Sequence, residues 1–358
     1  MASGNPFPLP ITVEAITRDW LEAALRTRYP GVSLSRCEIL DINHGTCTKI
    51  RLALETDDPA IPERVILKGG FEPHSRAMAY MHGEEVHAYA DVAPLSPLRM
   101  PACHFAGFDE ASAQGIVIMD DLVARGVEFC HAQRPQVPAQ VARRLSALAR
   151  HHAMTWGGND MAPGGRFDWA TGYVEGFEHY GREILTPQVW QGYVESSRGA
   201  AVSTRFHSLG WMKAALAKML ALSSRQPQVL LHGDTHLGNL YIDVDGEPGF
   251  FDSLPHRGAA MLEVAYHVTC ALDLADRKAH ERALVAHYRE ELIRCGISPP
   301  PLDDLMHQFG CFLAAGYCIF LVNASAFQPE AINTAYTARF SAAMLDHATV
   351  ELLDAVAA

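Results

Sequence analysis

The sequence predicts an α+β fold in two lobes, a smaller strand-rich one followed by a larger, mainly helical one. Three observations carry this. At 358 residues the chain is longer than one hydrophobic core usually supports, and two lobes sharing a cleft are expected. Ile39 to Leu54 alternates apolar and polar residues with the period of strands, whereas Met78 to Ala93 and Pro138 to Thr155 read as helices. Hydrophobic residues make up 49% of the chain, enough to fill both cores.

In chain order, Ile39 to Leu54 (ILDINHGTCTKIRLAL) alternates into a hairpin turning at His44-Gly45-Thr46. Val65-Ile66-Leu67 is a strand ending in Lys68; the competing account is a lysine capping an edge strand. Met78 to Ala93 has helical spacing, with Met78, Met81, Val86 and Tyr89 on one side and Glu84 and Glu85 inside it. Ile116 to Met119 is an apolar strand followed by Asp120-Asp121, and Pro138 to Thr155 reads as a helix. Trp169, Tyr173, Phe177 and Tyr180 recur at helical intervals, which favours packing; facing a cleft, they would suit a flat alcohol or a cation. The longest apolar run, Cys311 to Val322, is shorter than the ~20 residues of a membrane span and fits a buried helix of the second lobe.

The densest chemistry lies between Val229 and Asp252 (VLLHGDTHLGNLYIDVDGEPGFFD). Val229-Leu230-Leu231 reads as a buried strand, Gly233 turns the chain into a loop, and Asp234 emerges there. Asn239 follows Gly238; then Leu240 to Ile242, an Asp245-Gly246 turn and Gly249 to Phe251 form a hairpin that returns Asp252 beside Asn239. A carboxylate and an amide oxygen so placed suit magnesium, which takes one or two protein oxygens and leaves the rest to phosphate and water. Asp234 beside them suits phosphoryl transfer, where the protein mainly positions a hydroxyl and neutralises charge. A competing reading is a metal-dependent hydrolase, since His232, Asp234 and His236 alternate in a chain with 18 histidines.

The loop His232-Gly233-Asp234-Thr235-His236-Leu237-Gly238-Asn239 resembles the H-G-D-x-H-x-G-N motif of the aminoglycoside phosphotransferase and choline kinase-like family. That resemblance implies a bilobal protein-kinase-like fold, with a small antiparallel-sheet N-lobe over 1–119 and a larger, mainly helical catalytic and substrate lobe over 120–358. It implies Asp234 as catalytic base or hydroxyl orienter, Asn239 and Asp252 as magnesium ligands, and His232 and His236 as loop supports. Lys68 would hold ATP phosphates and Glu85 would orient it, with Glu84 the rival one residue away. Gly45, Thr46 and Cys47 would lie over phosphates, although the loop lacks a full G-x-G-x-x-G. Backbone groups of Met119, Asp120 and Asp121 would hold adenine, as in the hinge segment of the family. Leu148 to Trp156 resembles its L-A-x-x-H-A-x-x-W helix, and Ala124 to Phe129 looks like the ecdysteroid-kinase-like subgroup. Two departures stand out: Ser253-Leu254-Pro255-His256 follows Asp252, and Glu263-Val264-Ala265-Tyr266 has glutamate where the family has aspartate.

A net charge of -12 argues against nonspecific nucleic-acid binding, which needs a basic surface. MASGNPFPLP has neither the basic start nor the apolar core of a signal peptide. The eight cysteines show no C-x-x-C pair. Together with the kinase activity, ATP and magnesium that the resemblance implies, these features lead to the expectation of a cytoplasmic enzyme acting on a small hydroxylated molecule, without membrane insertion. A nucleotide-binding module without transferase activity is the alternative that the incomplete phosphate loop motivates.

Overall fold

The computed structural model describes residues 7–173, 176, 181 and 184–356. The chain divides into two units, one of Met1–Glu128 with Ile242–Pro255 and one of Phe129–Tyr241 with His256–Ala358.

The first unit is built on a five-stranded sheet: β1 (Leu34–Asn43), β2 (Thr48–Thr56), β3 (Arg64–Gly69), β4 (Cys103–Asp109) and β5 (Gln114–Asp120), in the order β1-β2-β3-β5-β4. Every neighbouring pair is antiparallel. The period-2 rule assigns the faces. Ile50, Leu52, Leu54, Val65, Leu67, Ile116 and Ile118 pack into a core with Leu21 and Leu25 of the helix Arg18–Arg26. Val117 and Met119 pack on the opposite face with Val86 and Tyr89. Burial on both faces explains why Ile116 to Met119 is continuously apolar. Because β3 lies between β2 and β5, Lys68 stands in a strand paired on both sides and not at an edge. The expected helix begins after a 3-10 turn, runs as Ala79–His87 and continues as a π-helical turn through Val92.

The second unit is mainly helical, with Pro138–Ala153, Leu209–Ser224, Ala260–Ala271, Leu274–Arg294, Leu302–Val322 and Glu330–Asp346 as its longest helices. A two-stranded ribbon pairs Gln228–Leu231 antiparallel with His256–Ala259. Leu302–Val322 is longer than its apolar run suggested. It is long and apolar enough to cross a membrane, yet 83% of its most apolar window is buried inside the protein, which identifies a core helix. Its polar start escapes the apolar-run test because Asp303, Asp304 and His307 face outward.

Gly316 lets this helix approach the helix Glu330–Asp346, since a Cβ there would meet the Phe340 ring at 2.2 Å. Glycine to alanine in a helix usually stabilises by about 1 kcal/mol, but overpacking a core costs about 1–3 kcal/mol. Gly316→Ala is therefore expected to lower the melting temperature; a rise would mean that Phe340 yields freely. Of the aromatic segment, Trp190 is buried and donates its ring N–H to the His207 carbonyl, while Phe177 and Tyr180 lie outside the described residues.

Candidate active site

In the first unit, Lys68, Glu85 and Asp252 come together. Alternation along β3 places Val65 and Leu67 in one core and turns Lys68 to the face that carries the helix Ala79–His87. There its Nζ donates to Glu85 Oε1 at 2.6 Å and lies 3.0 Å from Asp252 Oδ1. Glu85, not Glu84, is thus the helix partner. Burial works against the charge on Lys68, but Asp252 and Glu85 hold its pKa well above the ordinary value. Asp252 has φ 53, a left-handed conformation that is strained for a residue with a side chain and concentrates at functional positions. Burial also opposes ionisation of Asp252, yet Lys49 and Lys68 outweigh it and hold the carboxyl well below the usual range.

The turn between β1 and β2 contains Gly45, Thr46 and Cys47 and is tied down from one side. Glu72 accepts from His44 Nδ1 at 2.7 Å and from the Thr48 hydroxyl at 2.6 Å, and the Thr46 carbonyl accepts from His74 Nε2 at 3.2 Å. Burial pushes the Cys47 thiol up to about 11.

The segment expected to act as a hinge is more committed than its sequence suggested. Met119 is paired with Ile66 on one side and Cys103 on the other. The Asp120 N–H donates to the Ala102 carbonyl, and its carboxylate accepts from His104. Asp121 caps the short helix Leu122–Arg125 through the N–H groups of Val123 and Ala124 and also holds Arg51 at 2.9 Å. Gly126, at φ 79, ends that helix. The side chains of Asp120 and Asp121 therefore build the segment.

The turn before Asp252 is anchored in the same unit. Asp243, fully buried, accepts from Arg99 at 2.9 Å and from Arg125 at 2.7 Å, and the Phe250 N–H donates to the Arg99 carbonyl.

In the second unit, Asp234 and Asn239 come together. The ribbon strand Gln228–Leu231 delivers the chain to Gly233, whose φ of 92 requires glycine. His236 accepts the Gly238 N–H at 2.9 Å and caps the 3-10 turn Leu237–Asn239, while the Tyr336 hydroxyl accepts the Leu237 N–H. The Asn239 side-chain amide donates to the Asp234 carbonyl at 3.1 Å and to its Oδ2 at 2.8 Å, leaving the amide oxygen as its acceptor. Tyr266 donates its hydroxyl to Asp234 Oδ1 at 3.0 Å, so both carboxylate oxygens are oriented.

Beneath the loop sits Glu263. It accepts the backbone N–H groups of His232 at 3.0 Å and Gly233 at 2.9 Å, and the His152 Nε2–H at 2.9 Å. Burial opposes its charge, but the hydrogen bond and nearby histidines bring its pKa down to about 2. The next turn of the loop is held by His267, whose Nδ1–H donates to the Thr235 carbonyl. The extra methylene of Glu263, set against the family's aspartate, still reaches two adjacent backbone N–H groups.

Sequence reasoning did not single out Lys49 or assign a role to Tyr266. Lys49 carried a signal, since Ile50, Leu52 and Leu54 alternate into the core and place Lys49 on the face of Lys68. Tyr266 had none beyond its place one helical turn after Glu263. The strands Leu240–Ile242 and Pro248–Phe250 form where expected, but Asp234 and Asn239 belong to the second unit and Asp252 to the first. Among the described residues, no group of three His, Cys, Asp or Glu side chains is arranged to hold a metal; His232 Nδ1 accepts the Asp234 N–H at 3.4 Å, and His236 accepts the Gly238 N–H while its Nε2 lies 3.5 Å from Asp234 Oδ2.

A family model described as "Phosphotransferase enzyme family" matches residues 71–252, just over half of the 358, and takes in Glu85 and the loop through Asp252. Among solved structures, a candidate aminoglycoside phosphotransferase from Ralstonia eutropha JMP134 is similar at 15% identity, covering 96% of this chain and 99% of its own, with a TM-score of 0.54. Choline kinase from Cryptosporidium parvum Iowa II is similar at 10% identity, covering 94% and 97%, with a TM-score of 0.54. Choline kinase LicA from Streptococcus pneumoniae is similar at 9% identity, covering 92% and 98%, with a TM-score of 0.50. No curated protein matches the chain. At these identities the likeness speaks to the fold, which is that of kinase-like enzymes. The matches reach the family and not the ecdysteroid-kinase-like subgroup.

Proposed function

This chain belongs to the phosphotransferase enzyme family, and from that premise we propose that it moves the γ-phosphoryl group of ATP to a hydroxyl of a small molecule, with magnesium. The observation that carries the nucleotide part is the buried Lys68 held between Glu85 and Asp252. A lysine fixed by a helix glutamate beside a strained aspartate is suited to polyphosphate.

The donor set fits magnesium. Asp252 offers two hard oxygens at a place that already draws two ammonium groups, and the Asn239 amide oxygen is the acceptor left by its bonds to Asp234. Under this reading Asp252 and Asn239 hold the ion, which when bound neutralises charge on the transferring group. Residues 1–119 form the nucleotide-binding lobe and 120–358 the catalytic and substrate lobe. Lys68 binds phosphate oxygens, and Glu85 keeps its ammonium aimed. Gly45 and Thr46 line the phosphates, and backbone groups from Met119 to Asp121 receive the base. Asp234 accepts a hydrogen bond from the acceptor hydroxyl, aligns its oxygen and takes its proton as the new oxygen–phosphorus bond forms and the bond from the γ-phosphorus to the bridging oxygen breaks, that oxygen leaving on ADP. Tyr266 and Asn239 keep the carboxylate from rotating. Among the described residues no disulfide joins the cysteines, which suits a reducing cytoplasm.

The test is acceptor-dependent ADP release. Purified protein with magnesium and ATP, or GTP in parallel, is offered panels of amino alcohols, aminoglycosides, sugars and hydroxylated steroids. Turnover with one panel, reduced by about 10³-fold in Asp234→Asn with nucleotide affinity retained, supports the reading. Nucleotide binding with no acceptor-dependent release would favour a binding module without transferase activity.

A further inference from the structure

Lys49 and Lys68 stand directly opposite each other on β2 and β3, with their side chains on one face of the sheet. Like charges so placed repel, and the arrangement persists only if an anion lies between them. Here that anion is Asp252, with one ammonium on each oxygen: Lys68 at 3.0 Å from Oδ1 and Lys49 at 3.1 Å from Oδ2.

The two lysines are not equivalent. The Lys68 side chain is 6% exposed and has Glu85 as a second carboxylate partner at 2.6 Å. The Lys49 side chain is 41% exposed and, among the described residues, makes its ion pair with Asp252. A divalent cation that takes Asp252 competes with the two ammonium groups for its oxygens. Lys68 is retained by Glu85, so Lys49, the more exposed of the two lysines, is the one that leaves. Lys49 also follows Cys47 and Thr48, at the end of the turn assigned to phosphates, so its flexible stem swings beside that turn. The cluster is near neutral as it stands. With a divalent ion on Asp252 it carries an excess of positive charge, which a polyphosphate would balance.

We propose that Lys49 is a second phosphate-binding residue that exchanges partners, holding Asp252 without a divalent cation and a terminal phosphate oxygen of the nucleotide once the cation is bound. The proposal rests on the nucleotide site of the preceding section. It makes Lys49 the residue that discriminates a triphosphate from a monophosphate.

Lys49→Met and Lys49→Arg test it, with Lys68→Met as a reference. Manganese titrated alone, followed by electron paramagnetic resonance, is expected to bind Lys49→Met about 3–10-fold more tightly than wild type, because a competing cation is gone. Calorimetry with magnesium and ATP is expected to show affinity about 10-fold weaker, with AMP affinity unchanged and Lys49→Arg recovering most of the ATP affinity. Unchanged manganese and ATP affinities would overturn the role of Lys49, as would a parallel loss of both with a fall in melting temperature, which would mark a strut. If wild type and Lys68→Met both bind no nucleotide, the site reading itself fails; if Lys68→Met alone loses ATP, the site stands and only Lys49 falls.

Discussion

Replacing Asp252 with alanine is expected to lower kcat by about 10³-fold or more and to remove the magnesium dependence of nucleotide binding. The reason is local. Asp252 is the shared partner of two ammonium groups that face each other across β2 and β3, and both its oxygens are engaged. Alanine removes a proposed metal ligand and leaves two like charges, with Glu85 still paired to Lys68. Asp252→Asn keeps the shape but loses the charge, so it should be nearly as inactive while folding more securely. Turnover and calorimetry on both variants decide the matter, with melting curves to show that they fold. Activity within about 10-fold of wild type in either variant would remove Asp252 from the metal site.

The second large effect concerns stability. Glu263→Ala is expected to destabilise the second unit by about 3–5 kcal/mol, because three donors lose their acceptor: the buried His232 N–H and His152 ring, and the part-buried Gly233 N–H. For a unit of roughly 200 residues this is a fall of about 6–20 °C in melting temperature. The same contact predicts acid lability. With a folded pKa of about 2 against 4.5 for a free glutamate, Glu263 contributes its full stabilisation above pH 4.5. That contribution, of order 3 kcal/mol, is lost as pH falls from 4.5 toward 2. Unfolding by denaturant between pH 6 and pH 3 reads it directly: wild type should lose more stability over this range than Glu263→Gln. Equal losses would show that the carboxylate is not the source. Because Glu263 holds the backbone just before Asp234, the alanine variant should also lose activity below its melting temperature.

Much of the proposed site was legible because its residues are close in sequence or tied to regular periods. Asp234 and Asn239 are five residues apart, with glycines at the bends, so the loop almost prescribes their meeting. Lys68 ends a strand whose alternation points it at the helix bearing Glu85, and a period-3.6 reading of Met78 to Ala93 was enough to place that partner. The hinge was legible as a strand end but not as a structure. An N-cap and an ion pair with Arg51, seventy residues away, occupy Asp121, and neither is encoded in the local pattern.

Local sequence by itself determined the helix carrying Glu85, the glycine-bent loop with Asp234, the hairpin leading to Asp252, and β1, β2, β3 and β5 of the first unit but not β4. These depend on period, turn chemistry and near neighbours, which act over a few residues. Tertiary structure decided what each charged group faces. Only the register of β2 against β3 makes Lys49 the neighbour of Lys68. Only the packing of Ala260–Ala271 against the ribbon sets Glu263 under His232 and Gly233 and brings Tyr266 to Asp234. The physical reason is that a charge or hydroxyl on an amphipathic strand or helix reads as an ordinary solvated group until the opposing element arrives. Its partner, its burial and hence its pKa are properties of that arrival.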